Sequence, residues 1–121
     1  MNTPVSFELA KLLKEKGFDE VCQQWYSVEG GLYYQDEFDN NRGFIPVCEC
    51  EAPTITEVVM WLYEEHGIWT VVNVNIMGSW YFEHFDLKEK RNAEFKPTDT
   101  HYDSPTEAYE AAIEYTLKNL L

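Results

Sequence analysis

Apolar residues recur at helical spacing in three stretches of this 121-residue chain and alternate with polar ones in two others. Leu9, Leu12 and Leu13 form a stripe behind Ser6, whose hydroxyl suits a helix start, and Gly17 stands where a left-handed residue ends one. That pattern predicts a helix over 7–16, with Phe18 folding back on Leu13. In "TITE", Thr54 and Glu57 have the spacing of a capping box. The stripe behind it is Ile55, Val58, Val59 and Leu62, and Gly67 stops the helix before Ile68. "SPTE" supplies Ser104 as cap, Pro105 at the first helical position and Glu107 as the return partner. Ala108, Tyr109, Ala112, Ile113 and Leu120 give that third helix its core face.

Strand signals fill the intervals. "VCQQWYS" and "LYYQDEF" flank "VEGG", and "IWTVVNVNI" and "WYFEHFDL" flank "MGS"; both read as hairpins rich in β-branched and aromatic residues. The order α-β-β-α-β-β-α predicts an α+β fold, with a four-stranded antiparallel sheet covered by helices on one face. Each half shares a helix end, a Gly–apolar pair, a hairpin and a terminal Phe-Asp, so a helix–hairpin repeat is one reading; the general likeness of any two such units is the other. In strict alternation Ile68, Thr70, Val72, Val74 and Ile76 lie under the helices, leaving Trp69, Val71, Asn73 and Asn75 outside. The segments 39–46 and 88–104 read as irregular, the latter with a short edge strand around Phe95 and the main basic cluster.

Length alone predicts one domain, 1–121, with enough surface to bury that neither disulfide nor structural metal is needed. The charge changes the picture more. The net value is −13, and between Asp19 and Asp86 stand thirteen acidic residues against one basic, Arg42. Such a field repels phosphates and anionic membranes and attracts a cation or a basic protein surface; it also serves simple solubility. Asp36, Glu37, Asp39, Glu49, Glu51, Glu64 and Glu65 form the candidate acidic surface. No apolar run is long enough to span a bilayer and the first residues lack a signal-peptide core, so the expected setting is cytoplasmic, with three reduced cysteines.

Chemistry is sparse. Cys48 and Cys50 in "VCECEAPT" would share a face of an extended segment, and the reading is of inward thiols with Glu49 and Glu51 outward. Cys22 and the three histidines lack the spacing that would complete a metal site. "DEFDNNRG" fails as a calcium loop, with Arg42 where glycine is required and Cys48 where the bidentate glutamate belongs. No nucleotide, hydrolase or metalloprotease motif appears, so no catalytic residue, metal or cofactor is expected. The candidate partner or ligand surface is the second hairpin, with Trp69, Asn73, Asn75, Trp80, Phe82 and His84. Either the Trp80, Phe82, His84 set or the Tyr81, Glu83, Phe85 set faces the core. A protein partner or a homodimer suits such a face. A small-ligand or enzyme pocket beside His84, Asn73 and Asn75 is the alternative.

"APTITEVVMWLYEEHGI", "SPTEAYEAAIEYTLKNLL" and "SFELAKLLKEKGF" together resemble a group of small uncharacterised proteins of gut bacteria and their phages or mobile elements. The resemblance covers about two fifths of the chain, rests on helix motifs, and implies a genomic setting rather than a site. The leading reading is a non-enzymatic cytoplasmic accessory protein that binds another protein or itself, and the resemblance suggests a specific variant. The acidic surface would imitate nucleic-acid phosphates and occupy a basic site on a host protein.

Overall fold

A computed structural model of the chain describes residues 2–35, 46–88, 91–92 and 102–121. They fall into two compact units, Asn2–Thr54 and Ile55–Leu121.

The first unit opens with helix α1, Phe7–Glu15, where Ser6 Oγ accepts the Leu9 N–H at 3.2 Å. Its end is a Schellman turn. Gly17 N donates to Lys14 O and Phe18 N to Leu13 O at 3.0 Å, with Gly17 at φ +98°. Phe18 is thereby buried with Leu9, Ala10 and Leu13, the three larger side chains each contributing about 1.5–3 kcal/mol. Strands β1 (Gln24–Ser27) and β2 (Leu32–Tyr34) form the first hairpin, and β3 (Cys48–Glu51) adds to the other side of β1, giving the order β2-β1-β3. Tyr26 ties the sheet to the chain start, its Oη donating to Val5 O at 2.6 Å while its ring packs on Phe7.

In the second unit helix α2, Ile55–His66, leads through Gly67 into β4 (Ile68–Val74). Next come β5 (Trp80–Asp86), the two-residue β6 (Arg91–Asn92) and helix α3 (Pro105–Tyr115). The sheet order is β4-β5-β6, antiparallel throughout. Helix α3 starts at the expected cap, Ser104, but the return bond of Glu107 goes to Asp103 rather than to Ser104 itself. Ser104 Oγ accepts the Glu107 N–H, and Glu107 Oε2 accepts the N–H of Asp103 at 3.1 Å. Its last turn, Thr116–Leu120, widens to a π-helix. Leu62, Ile55, Val58, Ile113 and Leu117 are fully enclosed in this core.

The α+β class stands. The single four-stranded sheet does not. The described strands make two sheets, because β1 takes β3 as its second neighbour and β5 takes β6. The two helix–hairpin units also differ in where the third strand joins: on the first strand of one hairpin and on the second strand of the other. Phe95 lies outside the described residues; the short strand of that region is at Arg91–Asn92. No described helix is long and apolar enough to cross a membrane.

Gly67 is the corner on which the second unit turns. Its N–H bonds to Tyr63 O, its carbonyl accepts from Leu87 N at 2.8 Å, and its φ is +68°. A Cβ there would stand 2.8 Å from Lys88 Cγ, the movable part of a flexible side chain, so the backbone conformation sets the larger cost. Gly67→Ala is expected to lower stability by about 1–2 kcal/mol, read as a shift in the urea midpoint at unchanged slope.

Candidate interaction surface

The β4–β5 ladder is set by a three-residue turn. Gly78 N donates to Asn75 O at 3.0 Å, Gly78 takes φ +82°, and Asn75 Oδ1 accepts the N–H groups of Met77 (2.9 Å) and Ser79 (3.1 Å). The pairs Asn73↔Tyr81, Val71↔Glu83 and Trp69↔Phe85 follow on one face, and Val72↔Phe82 and Thr70↔His84 on the other. Trp69 is 37% exposed, Asn73 is exposed, and Val71, Tyr81 and Phe85 are half-buried beside them. From α2, Tyr63 sets its ring edge-on to Trp69, centroids 5.6 Å apart. Such a pair is worth about 0.5–1.5 kcal/mol beyond its burial, which holds the indole in place while Trp69 stays partly exposed.

This placement corrects the sequence reading of the face. Of the two sets left open, it is Trp80, Phe82 and His84, named as candidate surface residues, that face inward: Phe82 and His84 are 3% and 1% exposed, and Trp80 is half-buried, bridged to Tyr102 through paired backbone bonds. Tyr81, Glu83 and Phe85 take their place beside Trp69 and Asn73. Asn75 is consumed by the turn. A pocket uniting His84 with Asn73 is precluded, because the two lie on opposite faces of the sheet. The inner face is also shorter than alternation suggested: Ile68 and Thr70 are buried and Val72 half-buried, but Val74 is exposed and Ile76, in the turn, wholly so. Helix cover stops before the hairpin tip.

His84 is a structural residue. Its Nε2 lies 2.7 Å from Thr116 Oγ1 and 3.1 Å from Ala112 O, and Thr116 Oγ1 donates to the same carbonyl at 2.9 Å. A carbonyl only accepts, so the network assigns the imidazole proton to Nε2. The rings of Phe82 and Tyr115 lie 5.3 and 6.0 Å away. Burial among them pushes the His84 pKa down to about 4, from 6.5. Across the strand pair Thr70 Oγ1 is buried with no hydrogen-bond partner among the described residues.

The cysteine segment forms β3. Cys50, opposite Tyr26, is 4% exposed, but Cys48 is exposed, against the expectation that both point inward. A bulge explains it. Tyr26 pairs with Cys50 and Ser27 with Cys48, so Glu49 is an extra residue and the alternation breaks. Burial first, then the Glu49 carboxylate, raises the Cys50 thiol to about 11; burial and Glu51 raise Cys48. Beside this strand a cleft of about 450 Å³ is lined by Lys14, Phe18, Asp19, Cys48 and Glu49, among others, and Lys14 Nζ donates to Glu49 O at 2.6 Å. Glu51 accepts from Cys22 N at 2.8 Å and from Gln35 Nε2. Among the described residues no three His, Cys, Asp or Glu side chains gather in a way that would hold a metal ion.

The candidate acidic residues that are described fall in both units. Glu64 and Glu65 are exposed at the end of α2, while Glu49 and Glu51 are half-buried in the other unit. Asp36, Glu37 and Asp39 lie outside the described residues.

Two measurements test these assignments. The folded-state pKa of His84 lies below its unfolded value, so its neutral form stabilises the fold fully above pH 6.5. That contribution is lost as pH falls toward 4, in total about 3 kcal/mol. Urea titrations of the protein and of His84→Gln should diverge in pH slope across that window, and parallel slopes would contradict a buried neutral ring. In thiol titration with an aromatic disulfide reagent near pH 8, Cys48 alone should react, slowly, with Cys22 and Cys50 following only in denaturant.

Comparison with known proteins finds no matching protein-family model, no matching curated protein and no matching solved structure.

Proposed function

We propose that the chain is a non-enzymatic interaction protein that binds another protein, or a second copy of itself, through the outer face of β4 and β5. The observation that carries this reading is the Trp69–Tyr63 pair. Both residues are more than a third exposed, yet Trp69, on the hydrogen-bonded ladder that also carries Asn73, is held edge-to-face by Tyr63 of α2. A rigid half-wet indole loses little conformational freedom on docking and offers apolar area together with an N–H donor. These are the properties of an interface anchor.

The charge narrows the partner. At −13, with Glu64 and Glu65 exposed on α2 one helical turn or less from Gly67, the chain favours a basic protein surface over nucleic acid or an anionic membrane. The nucleic-acid-mimicking variant, in which this acidity inhibits a host protein in a cytoplasmic, mobile-element setting, draws on the net charge and on the family resemblance. The outer-face reading draws on geometry, and we rank it first.

Trp69→Ala should weaken partner retention or self-association about tenfold or more while leaving the far-ultraviolet circular dichroism unchanged. Extracts of the native cell passed over the immobilised protein, together with light scattering of the pure chain, read both forms of binding. Undiminished binding by a folded Trp69→Ala variant would count against this face, and loss of binding with added salt identifies a basic partner.

A further inference from the structure

Among the described residues the two sheets have four edge strands, and they are not alike. Strand β3 is protected by a bulge, by the charges of Glu49 and Glu51, and by Lys14 Nζ seated on the Glu49 carbonyl. Strands β2 and β6 are three and two residues long. These are the usual devices against strand addition. Strand β4 has none of them. Ile68–Val74, "IWTVVNV", is seven residues without charge, proline, glycine or bulge, and it ends its sheet.

Its hydrogen-bond phase is fixed at both ends. Leu87 N donates to Gly67 O and Asn75 N to Ser79 O, so the odd-numbered residues of β4 turn their N–H and C=O toward β5. Ile68, Thr70, Val72 and Val74 therefore present theirs to the other edge, where, among the described residues, no backbone bond is made.

We propose that this edge pairs with β4 of a second copy of the chain, antiparallel about a two-fold axis at Val71, joining β6-β5-β4 of each copy into one sheet. This rests on the interaction reading above and names its partner. Three observations select a second copy. First, the chain carries −13, so two copies approach at least cost along an uncharged line, and β4 is one. A basic partner, by contrast, gains nothing from an edge without charge. Second, the strand is complementary to itself in this register. Ile68 meets Val74 and Thr70 meets Val72, with every outward N–H and C=O of the four paired; Trp69 meets Asn73, and Val71 meets Val71. The nearest acidic residues on that face, Glu83 of each copy, stand three strand spacings apart, about 14 Å, beyond the Debye length at physiological salt. Third, the tip residues Ile76 and Met77, fully and 82% exposed, are carried by this register past Ile68 of the second copy toward its Gly67 corner. Exposed Val74 is likewise covered by the second copy's Ile68.

Sedimentation of the full chain over a wide concentration range should show a reversible dimer. The variant Val71→Lys sets two ammonium groups across the axis, and Asn73→Lys sets a cation on the same edge at an exposed position. Each should weaken dimerisation about tenfold or more at unchanged circular dichroism. In a Cys48→Ser background, Val71→Cys should oxidise to a covalent dimer. The two Cα atoms of a non-hydrogen-bonded pair lie about 4.5 Å apart, within disulfide range. Glu83→Cys, one strand removed, should not. A wild-type chain that stays monomeric overturns the proposal, even if Trp69 still captures a different protein, in which case the interaction reading stands alone. A dimer untouched by Asn73→Lys, or a Glu83→Cys cross-link in place of Val71→Cys, overturns the edge.

Discussion

The parity of the β4–β5 ladder governs most of what this chain can do, and one turn decides it. Asn75 receives two N–H groups on its side-chain oxygen while Gly78 takes a left-handed conformation, which makes the loop three residues long. A loop one residue longer or shorter would pair even with odd positions and put Trp69 and His84 on the same face of the sheet. With the loop as it is, an imidazole lies in the core and an indole lies outside. The neutral, buried state of His84 and the exposure of the Trp69–Tyr63 pair are two results of the same register.

The helix ends were legible because their chemistry is local. Ser6, Gly17, Ser104 and Glu107 act within a few residues of themselves, and each does in three dimensions what its type suggests. The hairpins were legible for the same reason. The choice between two strand faces was not, since Trp80, Phe82 and His84 are as mixed in polarity as Tyr81, Glu83 and Phe85. A signal did exist. Counting outward from Asn75 and Gly78 as a three-residue loop gives Thr70 opposite His84 without any structure.

What the sequence withheld is nonlocal. That β3 would join β1, and that β5 would take β6, depends on pairings across many residues, and a chain read as two hairpins defaults to one sheet. The bulge at Glu49 is equally silent in the residue pattern, yet it alone turns Cys48 out to solvent while Cys50 stays in. The widened last turn at Thr116 is of the same kind. Its hydroxyl and the Nε2 of His84 both bond to Ala112 O, a convergence that only a packed helix on a sheet can create.

The order in which strands find neighbours has a consequence for synthesis. Every ladder of the first unit is closed by residues preceding Ile55, so β1, β2 and β3 are all present once Thr54 has emerged from the ribosome. Hairpins form in roughly 1–10 µs, whereas elongation at about 5–20 residues per second leaves seconds before the C-terminal helix is complete. The bulged, lysine-covered edge of β3 can thus close before the uncharged β4 emerges. A nascent chain built in this order meets its own most adhesive strand only after its earlier edges have been closed to it.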